Sequence, residues 1–340
     1  MKIVEFNPRH HIPLWDTFLK GNPSASPYHS REWAKVLEMS FSFKERSLIC
    51  LNQRDEIQGL LPLWEVNKKL AINAPWRDRA ELITQDPIVR DLIIEELRIH
   101  PLEIVFKDWN YAQAPPHFSL IDYMIRSHLD LSLGESYLWK SINSGFGRNI
   151  RKAINSGVEV VQENSLKSMS NFYDLFKITR KKLGVPIFSW TFFENILNLM
   201  NPKHIRIYIG YYQSHAIAGA ILLDSPYTAI YAYGASDFKF QHLRANDLLF
   251  WIMIKESINN GKNCFDFGSD SPHQTSLLQF KKKWGAIQSP SKTLCSSTIK
   301  EDLIKRDINS KRHNLTRAVL KKMPIWTLQA LGKYLSTKNG

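Results

Sequence analysis

The distribution of apolar and polar residues between positions 228 and 261 predicts a strand, a polar loop and a buried helix. β-Branched and aromatic residues from Thr228 to Tyr233 indicate the strand, which ends at the turn residues Gly234-Ala235-Ser236. The segment from Leu248 to Ile258 is strongly apolar, as expected for a buried helix. Asn246 and Asp247 suit its start, because Asn caps helices well and Asp favours the first turn.

The same order of elements is predicted in both halves of the chain. Each half shows a strand, two helices, a strand hairpin, a further strand, a helix and a last strand. Short motifs recur at offsets of 156 to 160 residues, namely at Ser30 and Ser189, Gly59 and Gly219, and Asp91 and Asp247. Near-constant offsets indicate duplicated domains of one topology. We therefore predict an α/β (α+β) chain with domains at 1–156 and 157–300, each a mixed sheet flanked by helices, and a tail at 301–340.

Composition narrows the class of partner. The 340 residues carry a formal net charge of +13, which implies an anionic partner such as nucleic acid, a phosphorylated cofactor or an acidic membrane. The three cysteines are widely spaced, and neither they nor the eleven histidines show the spacing of metal ligands. The chain has no apolar run of about 18 residues and no apolar signal core near its start. We therefore expect a reduced, cytoplasmic protein without a metal.

The last segment, 308–340, is basic and amphipathic. It contains seven Lys or Arg residues and no Asp or Glu, and Pro324 interrupts its apolar pattern. Two interpretations are open. The tail can lie on an anionic membrane surface, at the inner face of the membrane, or it can pack back on the first domain with a solvated basic face.

The loop before the helix at 246–258 has the chemistry of an anion site. Lys239, His242 and Arg244 precede the predicted helix start, where free backbone N–H groups and the positive end of the helix dipole meet. One interpretation is a phosphate-bearing donor seated at Arg244 to Asp247. The other is an ordinary capped helix that follows a solvated loop.

Four motifs between 234 and 286 occur together in this order and spacing. They are Gly234-Ala235-Ser236, Ala245-Asn246-Asp247-Leu248-Leu249 with Trp251, Phe265-Asp266-Phe267-Gly268, and Phe280-Lys281 with Trp284-Gly285-Ala286. The set resembles the FemAB-like (peptidoglycan-bridge) branch of the GNAT acyltransferase superfamily. Further features that look like this family are His29 with Trp33, the strand around Gly59, the loop Pro75–Arg79 and the basic helix 148–155.

The resemblance implies tandem GNAT-like domains and an N-acyltransferase or aminoacyltransferase. Such transfer needs no covalent intermediate, because the acceptor amine attacks the donor carbonyl directly. The implied donor is an acyl-CoA or an aminoacyl-tRNA, and no cofactor stays bound. The implied acceptor is an amine of a cell-envelope saccharide or peptide precursor, or of a polysaccharide. The alternative is a non-catalytic scaffold that binds an anionic glycan, lipid or RNA in envelope biogenesis.

The resemblance also implies roles for residues of the second half. Lys281 would stabilise an oxyanion, and Asp266 would accept a proton or orient the substrate. A solvated lysine and a loop-capping aspartate are the structural alternatives. The residues implied to bind the donor are Tyr233, Ser236, Arg244, Asn246, Asp247, Phe280 and Trp284.

An anionic acceptor, such as a phosphorylated saccharide, would need cations in fork geometry. The residues that we predict to bind the acceptor are Trp76, Arg77, Arg79, Arg148 and Arg151. The alternative is that these arginines form surface ion pairs and that the tryptophan belongs to the core.

One departure from the superfamily pattern bears on the donor. GNAT domains that bind acyl-CoA carry a Q/R-x-x-G-x-G/A loop before this helix, whereas this chain has Gln241-x-x-Arg244-x-Asn246. Arg replaces the first glycine, so a side chain stands where glycine permits close backbone approach. The loop therefore leaves acyl-CoA and aminoacyl-tRNA both open as donors.

Overall fold

The computed structural model describes residues 1–109, 113–142, 144–200, 202, 204–298 and 311–336. Residues 301–310 and 337–340 of the predicted tail lie outside the described residues. Among the described residues, no helix is long and apolar enough to cross a membrane.

Strands and helices alternate in the α/β order expected from the sequence. The strands are β1 (Lys2–Glu5), β2 (Lys44–Glu45), β3 (Leu48–Leu51), β4 (Ile57–Leu61), β5 (Trp64–Asn67), β6 (Leu70–Ile72), β7 (Glu103–Trp109), β8 (Phe118–Asp130), β9 (Glu159–Gln162), β10 (Ile205–Tyr212), β11 (His215–Asp224), β12 (Thr228–Ser236), β13 (Cys264–Asp270) and β14 (Ile287–Ser296). The α-helices are α1 (Pro8–Lys20), α2 (Arg31–Phe41), α3 (Pro87–Arg98), α4 (Glu135–Ser141), α5 (Ser144–Asn155), α6 (Leu166–Leu183), α7 (Trp190–Met200), α8 (Ala245–Asn259), α9 (Thr275–Lys283), α10 (Lys311–Lys322) and α11 (Ile325–Ser336).

Two compact units make up the chain. Unit 1 comprises the described residues within 1–124, 290–310 and 334–340. Unit 2 comprises the described residues within 125–289 and 311–333. The division differs from the predicted one, because unit 2 begins at 125 and not at 157. The reason is packing: the end of β8 pairs with β13, and α5 packs along α8.

Unit 1 contains two sheets. One is antiparallel, in the order β1-β3-β4. The other is mixed, in the order β2-β5-β6-β7-β14, with a parallel pair at β6 and β7. Helix α3 packs on β3 and β4 and buries Val89 and Ile93 in the core of the unit.

Unit 2 is built on the strand order β8-β13-β12-β11-β10-β9. All neighbouring pairs are antiparallel except β12 and β13. Helices cover both faces of this sheet, since α6 and α8 both pack on β11. Successive residues of β11 point to opposite faces and therefore meet different helices. Ala218 and Ala220 join the core formed with α8, whereas the position of Gly219 faces Phe172 and Leu175 of α6.

Local signals account for the helix ends of unit 2. The Ser165 hydroxyl accepts a hydrogen bond from the Ser168 N–H at 3.1 Å at the start of α6, as a helix cap does. The same helix ends at Gly184, which adopts a left-handed φ of 67°. Helix α8 is apolar around most of its circumference, as predicted, and it is buried between the sheet and α5.

Most of the described tail packs on unit 2. Residues 311–333 belong to this unit, and α10 contacts α6. For residues 311–333, the interpretation that the tail packs on the first domain is therefore corrected, whereas 334–336 belong to unit 1. The reason is local shape. Gly184 at the end of α6 allows close backbone contact with α10, and Gly332 of α11 allows close contact with the backbone of Ile187.

Candidate functional site

Strands β12 and β13 separate after a short parallel contact. They pair at Thr228 with Cys264, Ala229 with Phe265 and Ile230 with Asp266. Both strands then continue, β12 to Ser236 and β13 to Asp270, while β12 stays paired with β11. A gap therefore opens between two parallel neighbours at their carboxyl ends, which is where open α/β sheets commonly bind ligands.

Helix α8 begins at this gap. A short 3-10 turn, Phe238–Leu243, connects β12 to Arg244, which has a left-handed φ of 61° and precedes the first helical residue. No side chain caps the helix start. The N–H groups of Ala245 and Asn246 precede the first intrahelical hydrogen bond, so they are available for a ligand. Together with the helix dipole they form an anion-binding end.

A cavity of about 230 Å³ lies at the start of α8, within unit 2. Its wall combines aromatic and aliphatic side chains with polar ones from α5, β11, β12, the 3-10 turn, α8 and α9. The lining residues are Phe146, Asn149, Ile217, Ala218, Ser236, Asp237, Phe240, Gln241, Arg244, Ala245, Asn246, Asp247 and Phe280.

The cavity contains one cation and two carboxylates. Arg244 is exposed at its edge, whereas Asp247 is only 7% exposed. Burial raises the pKa of Asp247, against the opposing effects of the Asn149 hydrogen bond and of Arg244. Asp237 is already used, since its side chain accepts a hydrogen bond from the Lys239 N–H at 3.0 Å. Asp247 is the carboxylate suited to accept a proton or an ammonium group, because it is buried in the cavity and burial raises its pKa.

Most residues predicted to bind the donor line this cavity. They are Ser236, Arg244, Asn246, Asp247 and Phe280. The structure does not bring Tyr233 and Trp284 there. Tyr233 is buried against the rings of Phe193 and Phe176. Trp284 is 0% exposed and stacks on Phe146 at 4.5 Å, so it supports a wall of the cavity and does not line a cleft.

Lys281 is buried beside β13 and does not line the cavity. Its Nζ donates to the carbonyls of Phe267 at 2.8 Å and Gly268 at 3.2 Å. The same atom lies 2.5 Å from the buried carboxylate of Asp270. Neither the solvated lysine of the structural alternative nor a side chain free to reach a substrate is observed. The role of Lys281 as an oxyanion-stabilising group stays a prediction.

Asp266 is fully buried and holds the loop that follows it. Its Oδ1 accepts a hydrogen bond from the Gly268 N–H at 2.6 Å, and its Oδ2 accepts one from Arg126 Nε at 3.2 Å. This is the loop-capping arrangement that was the structural alternative. Its catalytic role also stays a prediction.

The residues predicted to bind the acceptor are divided between the two units. Arg77 in unit 1 donates to the Trp76 carbonyl at 2.7 Å, and Arg79 is buried near Glu81 at 3.8 Å. Arg148 and Arg151 are exposed on α5 of unit 2. The latter two are therefore the members of the set that a large anionic ligand can reach.

Unit 1 holds a buried carboxyl group that the sequence analysis did not single out. Asp108 has a left-handed φ of 62° and accepts a hydrogen bond from the Ser291 hydroxyl at 2.7 Å. Burial, and then the charge of Glu81, raise its pKa to about 7. Its partner is 183 residues away in the chain, so no local motif marks this pair.

Phe146, Asn149 and Asp237 also line the cavity, and sequence reasoning did not assign them to the site; Gln241 entered it only as part of the loop motif. Asn149 had a signal, because it lies in the Arg148-Asn149-Ile150-Arg151 segment that resembles the family. Among the described residues, no group of three His, Cys, Asp or Glu side chains is placed to hold a metal ion.

The comparisons with known proteins agree with this geometry. Residues 144–281 match the family model of the acetyltransferase (GNAT) domain. This range contains every residue that lines the cavity. No curated protein sequence matches the chain significantly.

Solved structures match nearly the whole chain. The crystal structure of FemX has a TM-score of 0.69 at 15% identity and covers 90% of this chain and 100% of its own. A tandem GNAT protein from the clavulanic acid biosynthesis pathway has a TM-score of 0.54 at 12% identity, with 86% and 97% covered. L-PGS from Bacillus licheniformis has a TM-score of 0.54 at 12% identity, with 90% and 98% covered.

These matches confirm the predicted fold class. The chain folds as two tandem GNAT-like domains, each with a mixed sheet and flanking helices. The resemblance to the FemAB-like branch is confirmed at the level of the fold.

Proposed function

We propose that the protein transfers an acyl or aminoacyl group to an amine of a cell-envelope saccharide or peptide precursor, or of a polysaccharide. The observation that carries the proposal is the cavity at the start of α8, beside the separated strands β12 and β13. The fold of FemX and of a tandem GNAT protein supports transfer chemistry of this general kind.

The donor is an anionic acyl-CoA or aminoacyl-tRNA whose phosphate meets Arg244 and the first N–H groups of α8. The unusual loop supports this placement. Arg244 stands where a glycine is expected, yet its backbone has the left-handed conformation that glycine favours. The turn keeps the required backbone shape, and the arginine adds a cation that can contact phosphate.

The reaction needs one proton acceptor and no covalent enzyme intermediate. The acceptor nitrogen attacks the donor carbonyl carbon, and the carbon–sulfur bond of a thioester or the carbon–oxygen bond of an ester breaks. The leaving thiolate or alkoxide takes a proton, and the attacking ammonium loses one. We assign to Asp247 the acceptance of the proton that the ammonium loses, because Asp247 is buried in the cavity and burial raises its pKa.

The proposal for the acceptor rests on exposed positive charge. Arg148 and Arg151 are exposed on α5, the helix that also contributes Asn149 to the cavity. They suit a phosphorylated saccharide or another anionic envelope precursor. Both candidate donors occur in the cytoplasm, where the transfer would take place.

One observation favours the alternative of a non-catalytic scaffold that binds an anionic glycan, lipid or RNA. Lys281 and Asp266, the two side chains that the resemblance implied to be catalytic, are buried and engaged in internal contacts. A scaffold needs the fold and a charged surface but no reactive group.

A turnover assay separates the two functions. The full chain is incubated with acyl-CoA or with aminoacyl-tRNA and a panel of amino sugar nucleotides and amine-bearing peptide precursors, and amide products are measured by mass. The transferase predicts a new amide with one donor class and loss of this product in Asp247→Asn. Absence of an amide product with every donor and acceptor, from a folded protein, supports the scaffold.

A further inference from the structure

The described tail presents an apolar and basic face away from unit 2. On α10, Leu315, Val319 and Lys322 recur at i, i+4 and i+7, so they share one helix face. On α11, Trp326, Ala330 and Lys333 repeat this spacing. We call these six residues the outward face. Leu315 is 70% exposed, Val319 49% and Trp326 68%.

Other residues of the two helices contact unit 2, and α10 packs on α6. The Ile187 N–H donates to the Leu328 carbonyl at 3.1 Å, and the Gln329 side chain donates to the Tyr173 hydroxyl at 3.1 Å. Leu328 is fully buried. The exposure of the outward face is therefore not the exposure of a loose tail, because other residues of the same helices have specific partners.

Two glycines make this docking possible. A Cβ at Gly184 would lie 2.3 Å from the Arg317 carbonyl oxygen, and a Cβ at Gly332 would lie 1.8 Å from the Ile187 carbonyl oxygen. Distances this short exclude any side chain, so both backbones depend on glycine for close approach. The tail helices are thus seated in one orientation, which determines the side that stays exposed.

Most charges around the outward face are positive, and the exposed Asp174, beside the Tyr173 contact of Gln329, is paired with Lys177 at 2.7 Å. Residues 308–340 contain no Asp or Glu. The same is true of 175–189, which include Lys181 and Lys182 at the end of α6, close to the Gly184 contact with α10. Nearby positive charge and exposed aliphatic and indole groups are the combination found in segments that lie on membranes.

We propose that the outward face of α10 and α11 docks on an anionic lipid surface. The lysines at its edge would meet lipid phosphates, and Leu315, Val319 and Trp326 would enter the boundary between headgroups and acyl chains. Nucleic acid is the other anionic candidate. It is disfavoured because exposed Leu and Val side chains gain little from phosphates or bases, whereas a lipid surface takes up both groups.

The test is co-sedimentation of the full chain with vesicles. Phosphatidylcholine vesicles that contain phosphatidylglycerol are compared with pure phosphatidylcholine vesicles, at low and high salt. The variants are Lys322→Glu and the combination Leu315→Ser, Val319→Ser and Trp326→Ser. Matched controls are Lys167→Glu and Leu166→Ser, since Leu166 is 59% exposed at the opposite end of α6. Melting temperatures verify that each variant folds.

The proposal expects binding to the anionic vesicles only, weakened by salt. Reversal of one lysine charge should weaken binding about thirtyfold, since two units of charge change at the surface. The triple serine variant should lose binding, and both controls should bind like the unaltered chain. Bromine-labelled lipid chains should quench tryptophan fluorescence in the unaltered chain and quench less in Trp326→Phe, which still binds.

Three results would overturn the proposal. They are absence of binding to anionic vesicles, equal loss of binding in the Leu166 and Lys167 controls, and tail-dependent binding of tRNA without binding of vesicles. The last result would assign the outward face to nucleic acid. None of these outcomes depends on turnover, so the proposed transferase function stands or falls separately.

Discussion

The Asp247 N–H donates to the Arg244 carbonyl at 3.1 Å at the start of α8, and both side chains line the same cavity. The Arg244 guanidinium and the buried Asp247 carboxylate are three residues apart in the chain. The two side chains have opposite charges and different exposure. Arg244 is positioned to hold an anionic donor, and Asp247 is positioned to take a proton from an amine. The proposed function assigns one step of the transfer to each of them.

Replacement of Asp247 by Asn should stop transfer while leaving donor binding intact. The amide keeps the shape of the side chain but cannot accept the proton, and loss of a general base costs roughly 10²- to 10⁴-fold in rate. The measurement is turnover together with donor affinity. Asp237→Asn is the matched control, because Asp237 also lines the cavity and its amide can still cap the 3-10 turn. Equal rates in the two variants would remove Asp247 from the mechanism.

The buried carboxyl of Asp108 predicts that stability depends on pH. Its pKa is raised from the ordinary 3.8 to about 7, so the folded state binds more protons than the unfolded state between these values. The free energy of unfolding should therefore fall as pH rises from about 4 to about 7, by about 3 kcal/mol. Chemical unfolding at a series of pH values measures this slope.

Asp108→Asn should flatten that slope, because Asn does not titrate and tolerates the left-handed backbone of position 108. Asp16→Asn, at an exposed position, should leave the slope unchanged. A slope that survives in Asp108→Asn would assign the pH dependence to other groups.

The ion pair of Lys281 and Asp270 allows a structural role of Lys281 to be tested separately from a catalytic role. Lys281→Met should destabilise the fold by about 3–5 kcal/mol, because it breaks the buried ion pair that Lys281 forms with Asp270. Adding Asp270→Asn should restore most of the melting temperature. Lys282→Met, at the exposed neighbouring position, should change neither stability nor turnover.

Turnover of the restored double variant then decides the role of Lys281. If the folded double variant transfers normally, Lys281 is purely structural. If it is folded and inactive, the predicted role in oxyanion stabilisation is supported.

Gly332→Ala should loosen the tail from unit 2. The added methyl would lie 1.8 Å from the Ile187 carbonyl oxygen, and forced overpacking typically costs about 1–3 kcal/mol. Limited proteolysis should cut the tail faster in this variant. Gly147→Ala is the control: its nearest neighbours lie 3.8 Å or more away, so this helical substitution should not destabilise the chain. Unchanged tail protection in Gly332→Ala would contradict the described docking.

Much of the fold was predictable because its signals are local. The apolar pattern of 166–183 and of 190–200 is typical of amphipathic helices, and α6 and α7 span those residues. Ser165 and Gly184 mark the ends of α6 in the sequence itself. The apolar run 57–66 has the pattern of one strand, but the structure divides it into β4 and β5. Pro62 lies at the break, and proline has no N–H to donate to a ladder.

The site was predictable only where it is one continuous segment. Ser236, Arg244, Asn246 and Asp247 lie close together in the chain, and the turn and helix start bring them to one cavity. Whether an aromatic side chain lines a cavity or supports it from behind depends on tertiary packing, so the sequence did not show that Tyr233 and Trp284 lie outside the cavity lining. The contact between Asp108 and Ser291 joins distant strands and leaves no pattern in the sequence.

Thermal stabilisation by candidate donors tests the central claim most directly. Acetyl-CoA, longer acyl-CoAs, and charged and uncharged tRNA are added at two salt concentrations, and the melting temperature is measured. A donor at a hundred times its Kd stabilises the folded state by about 2.7 kcal/mol. Arg244→Gly is the informative variant, because glycine suits the left-handed backbone and removes only the cation. Lys239→Ala, in the same turn but outside the cavity lining, is its control.

We predict that one donor class raises the melting temperature of the unaltered chain and of Lys239→Ala, and that Arg244→Gly loses most of this shift while remaining as stable without ligand. A shift with acyl-CoA would identify a CoA thioester donor, and a shift with tRNA that shrinks steeply with salt would identify aminoacyl transfer. The absence of any shift, or an equal shift in both variants, would contradict donor binding at the start of α8.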